Sequence, residues 1–152
     1  MAYIEEKFEL NSGVSGVTES DGLGATWHAD IWDFKVPINN WILLKPKDVF
    51  SCYLVGDDGV EMPAKTQVRI VKRDVANEEA KPILPNLLYQ QIKNFRDRDL
   101  VMHINVRGVV EVGPEEHIVV QVNGADVATT GDLDASASHF KLVTTRRRKR
   151  LD

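Results

Sequence analysis

Residues 66–72, TQVRIVK, and residues 117–124, HIVVQVNG, alternate apolar and polar side chains with a period of two. Successive side chains of a strand point to opposite faces, so this spacing describes strands with one face in a core. Val68, Ile70, Ile118, Val120 and Val122 take the inward phase; Gln67 and Arg69 take the outward one. The same rhythm governs LVMHINV, with Met102, Ile104 and Val106 inward, and HFKLVTT, with Phe140 and Leu142 inward. Turn chemistry separates these runs. TWHADIWDFKV stops at Pro37, KPKD divides WILL from VFSCYLV, and GDDG supplies an Asp-Gly turn. Gly113-Pro114 is expected to close a hairpin between VVEV and HIVVQV.

One segment departs from the period. In PNLLYQQIKNFRDRD, Leu88, Ile92 and Phe95 fall on one helical face behind Pro85, which predicts a short crossover helix. Many short strands with one such crossover predict a mostly all-β fold, a β-sandwich or jelly-roll-like barrel. A chain of 152 residues suits one domain that buries roughly 70% of its unfolded surface. The apolar runs are too short and too interrupted by charge to span a bilayer as helices. The segment MAYIEEKFEL is acidic where a secretory signal is basic and then apolar, so synthesis in a host cytoplasm without a signal peptide is expected.

The two ends of the sequence differ from this body. Residues 2–10 alternate, with Ile4, Glu6, Phe8 and Leu10 on one side and Tyr3, Glu5, Lys7 and Glu9 on the other. NSGVSGVTESDGLGAT follows, a Gly- and Ser-rich tether with a reach of about 20 Å. The strand can fold onto its own sheet or add to a neighbour's; we take the neighbour as the expectation, because a sheet edge accepts a strand readily. At the other end stand Arg146, Arg147, Arg148, Lys149 and Arg150. The whole chain has 19 basic and 23 acidic side chains, net −4, whereas residues 1–145 carry 14 and 22, net −8. Five adjacent cations repel one another and are expected to be disordered until carboxylates receive them. The acidic body argues against nucleic acid as the partner, since such binders spread positive charge over a folded face. The expected division is therefore an arm and tether at 1–25, a β-sandwich at 26–145 and a basic tail at 146–152.

Catalytic and metal chemistry find little support. His28, His103, His117 and His139 are dispersed, without His-x-His or His-Glu-x-x-His spacing, and read as solvated. Asp126, Asp132 and Asp134 lie in a polar loop that lacks the Gly and Glu of a calcium hand. Cys52 shares a strand face with Phe50 and Leu54 and reads as a small buried residue. Gly22-Leu23-Gly24 has no following Lys and is no phosphate loop. No catalytic residue, cofactor or metal is expected. Trp27, Trp32 and Trp41 fit core and interface packing, but exposed on a sandwich they would stack sugar rings. A carbohydrate-binding module is thus the alternative reading, with a small β-barrel enzyme behind it.

The block NNWILLKPKDVFSCYLVGDDGVEMPAKTQVRIVKRD, followed by VVEVGPEEHIVVQVNG, resembles in strand rhythm the β-rich head decoration (cement) proteins of tailed viruses. The resemblance spans residues 26–145. It implies a non-enzymatic virion protein on the capsid exterior that binds capsid protein and copies of itself, with trimers as the expected cluster. The partner-binding residues expected on this reading are Tyr3, Ile4, Phe8 and Leu10 of the arm and Arg146, Arg147, Arg148, Lys149 and Arg150 of the tail.

Overall fold

Two antiparallel sheets enclose an apolar core. The computed structural model describes residues 2–11, 29–46, 48–55, 59, 61, 66–78, 80–83, 87–88, 102–103, 109–123 and 138–150. The strands are β1 (Tyr3–Asn11), β2 (Ala29–Lys35), β3 (Asn40–Leu44), β4 (Val49–Tyr53), β5 (Gln67–Arg73) and β6 (Ala80–Pro82). They continue with β7 (Leu87–Leu88), β8 (Met102–His103), β9 (Val110–Val112), β10 (His117–Asn123) and β11 (His139–Lys149). The first sheet has six strands in the order β8-β4-β11-β3-β9, with β1 paired to β11. The second has five, β2-β10-β5-β6, with β7 also on β5. The all-β expectation is met, with no helix among the described residues.

Strand β11 organises the first sheet. Its 11 residues are long enough for two strands to lie end to end along one side. His139–Val143 pair with β4, and Thr145–Arg148 pair with β3. The chain between them, at Lys45–Asp48, makes an excursion opposite Thr144. There Asp48 Oδ2 accepts the Lys45 amide at 2.9 Å and lies 2.7 Å from Thr144 Oγ1. The short KPKD turn therefore interrupts one long strand instead of reversing it.

The inward phases read from sequence meet in one core. Val68, Ile70, Ile118, Val120, Val122, Phe140 and Leu142 are all buried, while Ile104 and Val106 lie outside the described residues. Trp32 stacks on Phe140 with ring centroids 6.4 Å apart, and Phe50 stacks on the same ring at 6.0 Å. Cys52 is fully buried, and loss of hydration pushes its thiol pKa up, away from thiolate chemistry.

Two local expectations need correction. Gly113-Pro114 does not close a hairpin: β9 pairs with β3 in the first sheet, whereas β10 lies between β2 and β5 in the second. The turn crosses the sandwich edge, with Glu115 in the left-handed region (φ 64°). It docks on another of the crossings between the sheets, the one after β2, through Val36 N–H to the Glu116 carbonyl (2.9 Å) and Glu115 N–H to the Val36 carbonyl (2.8 Å). Alternation tells which face is buried but not which strand lies alongside. Leu88 is not on a helix; Leu87–Leu88 form β7 against β5. The rest of the expected helix, including Ile92 and Phe95, lies outside the described residues.

The two facing stripes make a direct test. Val120 has no exposed surface, and its burial contributes about 1.5–3 kcal/mol. Val120→Asp also strands a carboxylate in the core. The variant is expected to lose its cooperative thermal transition in circular dichroism, and wild-type-like melting would refute the register.

Candidate functional site

The candidate residues from both ends of the sequence come together on neighbouring strands. β1 pairs antiparallel with β11 over its full length, from Tyr3 opposite Lys149 to Asn11 opposite Lys141, without a register shift. The expectation that this strand adds to a neighbouring chain is thus replaced by pairing within its own sheet. The reason is apolar. Leu10 is 4% exposed and belongs to the core, and Phe8 packs against that core 6.3 Å from Phe34. The stripe of Ile4, Glu6, Phe8 and Leu10 faces inward, as its alternation predicts.

The basic run is likewise a strand and not a solvated tail. Arg146–Lys149 complete β11, and the Arg150 amide donates to the Ala2 carbonyl at 3.0 Å. Registry sets Glu6 opposite Arg146 and Glu5 opposite Arg147. On the inward side, Glu6 Oε1 receives Arg146 Nε at 3.1 Å and Arg148 Nε at 3.0 Å, and it also pairs with Arg146 Nη2. The Arg146 guanidinium lies 4.5 Å from the centre of the Phe8 ring, a cation–π contact worth about 0.5–2 kcal/mol. On the outward side, Arg147 reaches Glu5 Oε1 at 3.0 Å, and Lys45 approaches the same carboxylate at 3.8 Å. The repulsion that would disorder the run is removed by carboxylates that β1 delivers in register. The carboxylates that these arginines meet here are the chain's own, Glu5 and Glu6.

Sequence reasoning passed over Glu5 and Glu6, although their signal was present: two adjacent acids on one alternating segment and three adjacent arginines on another. The Trp41 ring, read as a packing residue, meets Tyr3 edge-on at 5.6 Å. Trp41 is half-buried and Trp32 is buried, while Trp27 lies outside the described residues. Trp32 and Trp41 therefore form no open platform for a sugar ring. His117 is not a solvated side chain. Its Nδ1 lies 2.7 Å from Asp33 Oδ1, and Asp33 in turn accepts from Asn77 at 3.0 Å. Among the described residues, no three or more His, Cys, Asp or Glu side chains gather as a metal site. His28, the His139 side chain and Asp126, Asp132 and Asp134 lie outside them.

Fold and site together define a two-sheet β-sandwich sealed along one side by a charged pair of strands. The sequence matches no protein-family model and no curated protein. Among solved structures it is similar to VP17, a capsid protein of bacteriophage P23-77. That match has a TM-score of 0.55 at 8% identity and covers 99% of this chain and 98% of the other. It is also similar to a chain of the VP16-VP17 complex of the two major capsid proteins of bacteriophage P23-77. There the TM-score is 0.56 at 8% identity, with 98% and 100% of the chains covered. At this identity the likeness establishes the fold.

Two outcomes follow. Leu10→Ala is expected to lower stability by about 2–5 kcal/mol in denaturant titration, as for other buried leucines; an unchanged midpoint would mean that β1 is not seated on the core. The second concerns Glu6, whose carboxyl pKa is lowered from 4.5, chiefly by hydrogen bonds from Arg146 and Arg148. A depressed carboxylate contributes stability that is fully present above its unfolded pKa and is lost as pH falls through the folded value. Glu6→Gln should therefore melt below wild type at neutral pH, with the gap closing below about pH 4.5. A gap independent of pH would assign the effect to packing instead.

Proposed function

We propose that this chain is a non-enzymatic structural protein of a virion, a β-sandwich that builds or decorates a capsid. One observation carries the reading: the two-sheet fold superposes over 99% of this chain with VP17, a capsid protein of bacteriophage P23-77. The match takes in nearly the whole of both chains. The buried, unactivated Cys52 thiol gives nucleophilic chemistry no support. On this reading the partners are other capsid proteins and copies of the chain, and the setting is the virion, with the capsid exterior as the expected face. The P23-77 complex joins two different capsid proteins, which favours shell building as well as decoration. For Tyr3, Ile4, Phe8, Leu10 and Arg146–Arg150, the reading assigns the exposed parts, Tyr3 and the outer ends of the basic side chains, to partner contact. The buried parts hold the seam.

Quantitative mass spectrometry of purified particles from the virus or provirus encoding the chain tests this. The protein should be recovered in many copies per particle, near-stoichiometric with the principal shell component if it builds the lattice and at a fixed fraction of it if it decorates. Its absence from intact particles would overturn the proposal.

A further inference from the structure

We infer that the end of the sandwich carrying Tyr3, Ile38 and Val75 is a two-fold contact surface, and that its partner is the same end of a second copy of this chain. The inference builds on the assignment of Tyr3 and the basic side chains to partner contact and names the partner. Among the described residues, the large apolar side chains that are more than half exposed are Tyr3, Ile38, Val75 and Val109. Three of these four lie at one end. Tyr3 is opposite Lys149, whose amide donates to the Asn39 carbonyl at 3.0 Å, so β1 starts beside the turn at Pro37–Asn40. Ile38, 68% exposed, is at the tip of that turn, which Asn40 N–H closes onto the Pro37 carbonyl at 3.2 Å. Val36, just before it, is bonded to Glu115 and Glu116, which lead into His117 opposite Arg73. Val75 stands two residues beyond Arg73. Val109 precedes Val110, which is opposite Leu44 at the far end of β3.

Val75 is held outward by its own turn. The Asn77 amide donates to the Asp74 carbonyl at 2.8 Å, and the Glu78 amide donates to Asp74 Oδ1 at 3.0 Å. Asn77 Nδ2 then ties the turn to Asp33 Oδ2 on β2 at 3.0 Å. A turn braced in this way needs little further ordering when a partner covers it. Exposed apolar side chains gathered in one place, with charge around them, mark a protein contact surface.

Charge divides this end in two and chooses the occupant. On the first-sheet side Arg146, Arg147, Arg148 and Lys149 stand with two carboxylates, Glu5 and Glu6, which leaves that half basic. On the second-sheet side the turns 74–78 and 113–116 carry four carboxylates and no cation. Lys35, Arg73 and Lys81 stand behind those turns on the strands, and Lys72 is held by Glu116 at 3.3 Å. Tyr3 belongs to the basic half, Val75 lies between Asp74 and Glu78 in the acidic half, and Ile38 is on the boundary. Both halves occur at one end, so a two-fold axis through Ile38 sets the basic half of each copy on the acidic half of the other. Ile38 then meets Ile38, and Tyr3 meets Val75 in both directions. Such a contact is isologous and closes at two copies, and opposed potentials fix its partner and register. An acidic segment of another protein would satisfy only the basic half; a second copy satisfies both.

The test uses the full chain in sedimentation equilibrium. Wild type should dimerise and go no further. Ile38→Asp sets two carboxylates on the axis and should weaken the dimer roughly tenfold or more, while its thermal melting stays that of wild type because Ile38 is exposed. Lys149→Glu and Glu78→Lys should each weaken the dimer as well, since each homodimer then holds two like-charge contacts. An equimolar mixture of these two variants should regain a heterodimer, in which one contact is native and the other has its charges exchanged. Ile38→Cys should give a disulfide-linked homodimer under mild oxidation, with the buried Cys52 taking no part. Four results would each overturn the inference: a wild type that stays monomeric at the highest soluble concentration, an Ile38→Asp variant that dimerises like wild type, a mixture that associates no better than either variant alone, or growth of wild type beyond the dimer, which would make the contact head-to-tail. A monomeric wild type would leave the capsid reading standing, and absence from virions would leave the dimer standing.

Discussion

The pairing of β11 with strands on both sides holds the first sheet together. On one flank it spans the junction between β3 and β4, which otherwise meet only through the Lys45–Asp48 excursion. On the other it carries β1, whose Leu10 and Phe8 cover that side of the core. Residues Phe140 and Leu142 of the same strand reach the centre of the sandwich, where Phe140 contacts both Phe50 and Trp32. Backbone ladder, apolar closure and charge neutralisation therefore converge on one segment. Its outer half is basic; it is laddered to β3 on one side, and on the other β1 brings Glu5 and Glu6 into opposition.

The division of labour between those two carboxylates follows from strand geometry. Adjacent residues point to opposite faces, so Glu6 serves Arg146 and Arg148 beside the core while Glu5 serves Arg147 and Lys45 on the outside. An exposed ion pair contributes at most about 1 kcal/mol. The outer set thus adds little to stability, and what it supplies is registry: a one-residue slip would turn Glu6 outward and expose Leu10. The inner set has the Phe8 ring beneath it and lies toward the end of the sandwich where the crossings after β2 and β9 meet.

Much of this could be read from the residues, and the failures have a common physical origin. Period two located the strands and the buried face of each because burial is a property of one strand's own sequence. Neighbourhood is not. The Gly113-Pro114 turn has good hairpin chemistry and yet crosses between sheets, since nothing local to VVEV and HIVVQV specifies their lateral partners. The basic run was misjudged for the same reason: five cations alone repel, and the acids that neutralise them are at the opposite end of the sequence. Leu88 illustrates the weakest signal, a short apolar pair that serves helix and strand equally until tertiary contacts decide.

The seam also has a consequence for how the chain reaches its native state. The hydrogen bond from Arg146 to Glu6 joins residues separated by 140 positions, so forming it requires closing a very long loop before any contact rewards the closure. β11 follows every other strand in the chain, and during synthesis the first sheet must wait for its middle. Until that strand emerges from the ribosome, β1, β3 and β4 have no common partner and display unpaired edges. The nascent chain is therefore aggregation-exposed for most of its synthesis, and the charged residues of EEK on β1 help keep its waiting edge soluble.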